Sequence, residues 1–174
     1  MRMIKDIYRQ YKIWNLRRKG LIIGDNCRIG KSDFGSEPYL VSIGNRVTIS
    51  GNVQFITHDG GTWVFREDTK YKKVIKFGRI VVHDNSFIGF GSIILPGVSI
   101  GPNSVVAAGS LVTKDVLPNS VFAGHPAKFL MTVEEYAEKC LLKNLVYNQE
   151  NLLANKRDEL LKVLPLKNKL PVEQ

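Results

Sequence analysis

The sequence predicts an all-β chain whose short parallel strands wind into a parallel β-helix, and two observations carry that expectation. The first is a repeat of period six. From Val82 the chain reads VHDNSF, IGFGSI, ILPGVS, IGPNSV, VAAGSL and VTKDVL without an insertion. The second is what recurs within it. Each block opens on Val or Ile (Val82, Ile88, Ile94, Ile100, Val106, Val112), and a small or compact residue returns at the fifth position (Ser86, Ser92, Val98, Ser104, Ser110, Val116).

Each of these aliphatic side chains needs a dry environment that six residues cannot supply alone. If every block is a short strand and a turn, three blocks close a triangular coil with the aliphatic residues pointing to its axis. Coils stacked about 4.8 Å apart then bury one continuous core. The fifth residue must be small because it also faces inward, close to a bend. Gly89, Gly101, Pro96 and Pro102 supply turn conformations that bulkier residues resist.

The same period appears upstream as IGDNCR from Ile23, IGKSDF from Ile29, IGNRVT from Ile43 and ISGNVQ from Ile49. Cys27 falls at a fifth position and is expected in the core. Two interruptions separate these blocks from the rest. GSEPYLVS at 35–42 holds two residues more than the repeat requires and predicts a small bulge. The stretch from His58 to Gly78 is polar and aperiodic in its middle, and it predicts a loop over 59–78 thrown out from the coil. Loops of that length inside a compact repeat usually carry function.

The ends read as helices. Ile4, Ile7, Tyr8, Tyr11 and Trp14 fall near helical spacing, with Lys5, Arg9 and Lys12 elsewhere around the wheel, so residues 1–20 form a basic amphipathic helix. Thr132-Val-Glu-Glu135 is a capping box that opens a helix to about residue 147. A weaker helix is expected over 152–163. The divisions are therefore 1–20, a β-helix over 21–131, and a helical extension over 132–174, the ends covering sheet edges that would otherwise aggregate.

Composition excludes several classes of function. A chain of 174 residues that is 44% hydrophobic and 24% charged is one soluble globular domain with appendages. No apolar run approaches about 20 residues and no signal-peptide pattern opens the chain, so a cytoplasmic protein is expected. Cys27 and Cys140 suggest neither a disulfide framework nor a CxxC metal site. The net charge is +9, but residues 1–20 carry seven basic side chains against Asp6 alone, while residues 21–131 are nearly balanced. Without a basic, aromatic-interleaved strand in that body, no nucleic-acid partner is expected.

The hexapeptide pattern resembles the hexapeptide-repeat acyltransferases over about residues 21–131. Ala107-Ala-Gly-Ser-Leu-Val-Thr-Lys-Asp115, followed by Gly124-His-Pro-Ala127, resembles the maltose, galactoside, streptogramin and capsular-sugar O-acetyltransferase branch. Ala107 stands for the commoner Gly, and His125 for a usual Asn or Val. The resemblance implies a left-handed coil, acetyl-CoA as donor, a sugar hydroxyl as acceptor, no metal, and a homotrimer with active sites between neighbouring subunits.

It also implies site residues. The family's catalytic histidine lies where the protruding loop begins, the place of His58 in Ile56-Thr-His-Asp59. A sugar hydroxyl is a poor nucleophile at neutral pH, and a neutral imidazole can take its proton during attack on the thioester. Asp59 is a candidate for orienting that ring or contacting the acceptor. Carry-over of the CoA contacts falls on Phe90, Ala108, Thr113, Lys114 and Lys128, the two lysines as phosphate partners. A basic contact often found three residues past Lys128 is Met131 here. Asp33 and Glu37 in the bulge, and Trp63 and Arg66 in the long loop, are candidate acceptor contacts, since sugars are held by charged groups and stacked on aromatic faces. Lys70, Lys72, Lys73 and Lys76 read as a solvated face.

Rival readings have less support. A carbonic anhydrase on this fold needs three histidine ligands with two close in sequence, whereas His58, His83 and His125 are widely separated. Serine acetyltransferases carry a long N-terminal helical domain without counterpart here. An amino-sugar N-acetyltransferase and a non-catalytic scaffold remain as alternatives. Residues 1–20 could rest on anionic lipid, although packing on a neighbouring subunit is the preferred expectation.

Overall fold

The computed structural model describes residues 2–164, apart from the side chains of residues 2–6, 8 and 9. The chain divides into two compact units, residues 1–136 and 137–174.

The first unit is a three-sided parallel coil. One face is the sheet of β1 (Ile22–Ile23), β3 (Val41–Ile43), β6 (Ile80–Val82) and β9 (Ser99–Ile100). A second face orders β2 (Arg28–Ile29), β4 (Thr48–Ile49), β7 (Phe87–Ile88), β10 (Val105–Val106), β12 (Ser120–Ala123) and β13 (Lys128–Thr132). The third holds β5 (Gln54–Phe55), β8 (Ile93–Ile94) and β11 (Leu111–Val112). All pairs are parallel except β12 with β13, a closing antiparallel hairpin that sequence periodicity does not reveal. These will be called the first, second and third faces.

Period six puts one residue of every block on the axis. Val82, Ile88, Ile94, Ile100, Val106 and Val112 are all at most 1% exposed. Each such burial contributes about 1.5–3 kcal/mol before entropy is counted. The fifth-position serines are equally buried, and their size is only half the reason for them. Each hydroxyl donates to a carbonyl at the bend: Ser86 to Gly101 at 2.9 Å, Ser92 to Gly89 at 2.9 Å, Ser104 to Leu117 at 2.7 Å, and Ser110 to Ala107 at 2.8 Å. An inward turn leaves such carbonyls without a strand partner, and a buried acceptor must find a donor. Cys27 follows the same rule, 2% exposed with Sγ 3.1 Å from the Gly44 carbonyl. Burial raises its thiol pKa.

The coils approach too closely at some corners for a side chain. A Cβ on Gly89 would lie 2.3 Å from the Ala108 nitrogen, so this position requires glycine. At the corner joining the first and second faces the backbone turns left-handed, with φ of 57° at Asn26, 54° at Arg46, 55° at Asn85, 53° at Asn103 and 55° at Asn119. Asparagine tolerates this conformation and here also forms a ladder, Asn85 Nδ2 to Asn103 Oδ1 at 2.7 Å and Asn103 Nδ2 to Asn119 Oδ1 at 3.0 Å. Arg46 breaks the column and bears a conformational cost of about 1 kcal/mol. Arg46→Asn would offer an amide N–H to Asn85 Oδ1 and relieve that cost, so stability should rise by about 1 kcal/mol, read as a higher midpoint in urea or heat.

Helix α1 (Arg2–Arg18) covers the starting edge. Its apolar side was expected to be Ile4, Ile7, Tyr8, Tyr11 and Trp14; the side chains of Ile4 and Tyr8 lie outside the described residues. Ile7, Tyr11 and Trp14 are instead exposed, and Ile13 and Leu16 pack on the core. The reason is polar. Lys12 Nζ reaches the Ile29 and Gly30 carbonyls at 3.1 and 2.5 Å, and Arg17 reaches the Ile23 carbonyl at 2.6 Å. The first coil has no strand below it to fill those acceptors, so the helix turns its basic side inward to cap them. Partial burial lowers the Lys12 pKa.

The capping box forms as read: Glu135 N–H donates to Thr132 Oγ1 at 3.1 Å and Thr132 N–H to Glu135 Oε2 at 2.8 Å. The helix it opens, α2 (Val133–Leu142), stops short of residue 147. In the second unit the expected single helix is two, α3 (Gln149–Ala154) and α4 (Lys156–Val163), because Asn155 ends one and caps the next. Buried Glu159 accepts the Asn148 N–H at 2.7 Å. Residues 165–174 of the predicted extension lie outside the described residues.

Candidate active site

The strongest cluster of chemistry lies where the third face turns into the first. Strand β5 ends at Phe55, and its ladder runs on through Ile56, whose N–H meets the Ile94 carbonyl at 2.9 Å. Thr57 is buried, and the next residue, His58, emerges with its side chain 44% exposed. An antiparallel bridge between His58 and Phe77 closes the neck of the long loop, with ring centroids 5.6 Å apart.

Below this corner the 35–42 bulge performs a task unseen in the sequence. Phe34 stacks on Phe55 at 4.8 Å inside the coil, and a short 3-10 turn at Pro38–Leu40 returns the chain to β3. Between them Glu37 is lifted onto His58. Glu37 Oε2 lies 2.9 Å from His58 Nδ1 and accepts the Thr57 hydroxyl at 2.5 Å. The Thr57 hydroxyl, then the His58 ring, hold the Glu37 carboxyl far below its ordinary value of 4.5, at about 2. It is therefore ionised at neutral pH and can only accept, which assigns the neutral imidazole its proton at Nδ1 and leaves Nε2 as a free base.

Glu37 was expected at the acceptor; the structure makes it the partner of His58. Asp59, the sequence neighbour considered for that task, points away. Its Oδ1 accepts the Gly61 N–H and its Oδ2 pairs with Lys76, both at 2.9 Å. Consecutive residues leave extended backbone on opposite sides, so a carboxylate beside a histidine in sequence rarely meets its ring. Lys76, read as part of a solvated face, is thus a loop clasp. Arg66 also belongs to the loop's framework, with Nε on the Val74 carbonyl at 2.8 Å and a guanidinium nitrogen on Thr62 at 2.9 Å. Asp33 tightens a turn by accepting the Gly35 N–H. Trp63 is free at the tip, 76% exposed beside exposed Val64 and Phe65.

The residues assigned to CoA fall at different corners. Thr113 and Lys114 follow β11 at the same corner as His58, two coils further on, since β5, β8 and β11 are stacked in register. Phe90 and Ala108 stand at the corner between the second and third faces, where Gly109 N–H meets the Phe90 carbonyl at 2.7 Å. Lys128 is exposed at the start of β13. One chain therefore does not gather these groups around its own His58. Among the described residues no group of three or more His, Cys, Asp or Glu is placed to hold a metal.

A three-sided coil of hexapeptide repeats is the architecture of the hexapeptide-repeat transferases, and family models agree. Residues 79–114 match the bacterial transferase hexapeptide (six repeats), and residues 20–54 the hexapeptide repeat of succinyl-transferase. Protein CapG of Staphylococcus aureus is 49% identical over 153 residues, 83% of this chain and 88% of the relative. The galactoside O-acetyltransferase of Escherichia coli is 36% identical, the match taking in 64% of this chain and 57% of that enzyme, so the chain spans little more than half its length. A solved hexapeptide-repeat acetyltransferase from Vibrio cholerae shares the fold at a TM-score of 0.54 and 24% identity, over 72% of this chain and 81% of that one. The chain belongs to the hexapeptide-repeat acyltransferases, in the branch that holds CapG and the galactoside O-acetyltransferases.

Proposed function

We propose that this protein transfers an acetyl group from acetyl-CoA to a sugar hydroxyl, with His58 as general base, in building a capsular or other cell-surface glycan. The observation that carries the reading is the Glu37–His58 pair at the exposed corner. Nε2 takes the acceptor proton as the oxygen attacks the thioester carbon, and the tetrahedral intermediate collapses to ester and CoA thiolate. The imidazolium, stabilised by Glu37, returns the proton to the thiolate. The sugar and the donor come from the family, whose members include galactoside O-acetyltransferases.

Separation of the CoA residues between corners supports a composite site. Within a left-handed coil of this family, we infer that Phe90, Ala108, Thr113, Lys114 and Lys128 hold acetyl-CoA between adjacent subunits of a homotrimer. The loop over 59–78 then reaches the neighbour, covering Trp63, Val64 and Phe65, an apolar group otherwise left in water. Sedimentation equilibrium should return three chains per particle; an active monomer would refute the shared site. Use of acetyl-CoA as donor would place the reaction in the cytoplasm; among the described residues no helix is long and apolar enough to cross a membrane.

The decisive experiment measures thiol release from acetyl-CoA by purified protein across hydroxy sugars, amino sugars and nucleotide sugars. Release dependent on a hydroxy sugar, with an ester product, is expected. Transfer confined to amino sugars would replace the O-acetyl reading by N-acetylation, and no transfer to any acceptor would favour a scaffold. Lys114→Ala should raise the KM for acetyl-CoA about fivefold and leave that for the acceptor unchanged, because it removes one exposed phosphate attraction. Equal rises in both constants would remove Lys114 from the donor site.

A further inference from the structure

We propose that the concavity between Arg28 and Arg46 on the second face is a binding site for a phosphoryl group, remote from His58 of the same chain. The hollow has a volume of about 520 Å³, and Asn26, Thr48, Asn85 and Phe87 line it with the two arginines. Its corner joins the first and second faces, whereas His58 stands where the third meets the first.

Arg46 supplies the first argument. It occupies a left-handed position that Asn26, Asn85, Asn103 and Asn119 fill elsewhere in the column, and asparagine there would be less strained. Within the chain nothing offsets that strain: neither the Arg46 nor the Arg28 side chain has a hydrogen-bond or ion-pair partner among the described residues. Its guanidinium therefore serves something outside the fold.

Charge and shape supply the second. β2 and β4 pair with Arg28 opposite Thr48, so Arg28 and Arg46 project from adjacent coils. Neither carboxylate of this corner pairs with Arg28 or Arg46: Asp84 accepts the Asn45 N–H at 2.8 Å and its Nδ2 at 3.2 Å, and the exposed Asp25 lies 3.8 Å from Arg17. Two unpaired guanidinium forks, with the Thr48 hydroxyl and the Asn26 amide as further donors, match the several oxygens and fixed geometry of a phosphoryl group. The Phe87 ring, 39% exposed, offers a flat apolar surface for the remainder of the ligand. The phosphoryl group can belong to CoA or to a phosphorylated or nucleotide-linked sugar.

Calorimetric titration of the full chain with inorganic pyrophosphate, at low ionic strength, tests the site, and parallel titrations with CoA and uridine diphosphate distinguish its source. Wild-type protein should bind pyrophosphate, and Arg28→Gln and Arg46→Asn should each weaken binding about tenfold or more. Arg46→Asn should do so while melting no lower than wild type, which separates lost recognition from lost folding. Weakening shared by CoA assigns the site to the donor, and weakening shared by uridine diphosphate assigns it to the acceptor. Failure of the wild type to bind pyrophosphate, or unchanged binding by both variants, would overturn the proposal. So would a change in subunit stoichiometry at unaltered pyrophosphate affinity, which would make the arginines partners of carboxylates on a second copy.

Discussion

His58→Ala is expected to lower the rate of acetyl transfer by about 10²–10⁴, the worth of a positioned general base, while acetyl-CoA binds as before. The size follows from the site's chemistry. The acceptor oxygen must lose its proton as it bonds to carbon, and His58 Nε2 is the basic atom left free by the Glu37 contact at Nδ1. Stability should change little. The ring is 44% exposed, meeting Glu37 on one side and Phe77 on the other, so truncation opens no cavity in the core. Single-turnover transfer, calorimetric CoA binding and thermal melting measured together separate these effects. Turnover within threefold of wild type would remove His58 from catalysis.

Glu37→Gln is the second large effect, an expected fall of about 10²-fold in kcat with the KM for acetyl-CoA unchanged. The replacement keeps the shape and inverts the polarity at one atom. An amide can present N–H to His58 Nδ1, driving the ring proton to Nε2, where it blocks the base. Typical outer partners are worth about 10–100-fold and a triad carboxylate about 10⁴, so 10² is a middle expectation. A role confined to packing would leave kcat per folded enzyme unchanged, so a fall in kcat at unaltered melting temperature marks Glu37 as acting through the ring.

The same carboxylate also bears on acid stability. Its folded pKa lies below the unfolded one, so its contribution is complete above about 4.5 and is lost as pH falls towards 2. Wild-type protein should therefore lose this part of its melting temperature over that window, and Glu37→Gln, which never had it, should show a shallower decline. Parallel slopes would mean that Glu37 is not held as the structure shows.

How much of this was legible in the sequence depends on the range over which each feature is encoded. The three faces, the axial Val and Ile residues and the buried fifth positions follow from period six, because every block meets the same demand for burial and answers it locally. The capping box is likewise local, contained within Thr132 to Glu135. The departure point of the long loop was readable as a break in the repeat, and the family resemblance singled out His58 there as the candidate base.

Tertiary structure decided the rest. Glu37 and His58 are 21 residues apart, and they meet because the 35–42 bulge brings the Glu37 carboxylate within 2.9 Å of the ring. Two surplus residues announce a bulge without stating its direction. Asp59 was the nearer carboxylate in sequence, yet extended backbone turns it to Lys76. Helix α1 was legible as amphipathic, but which side met the coil depended on carbonyls at Ile23, Ile29 and Gly30 left open by the missing strand below. A repeat specifies its own interior because burial acts on each block separately. What its interruptions and edges touch is set by the stacking of coils, which period six does not record.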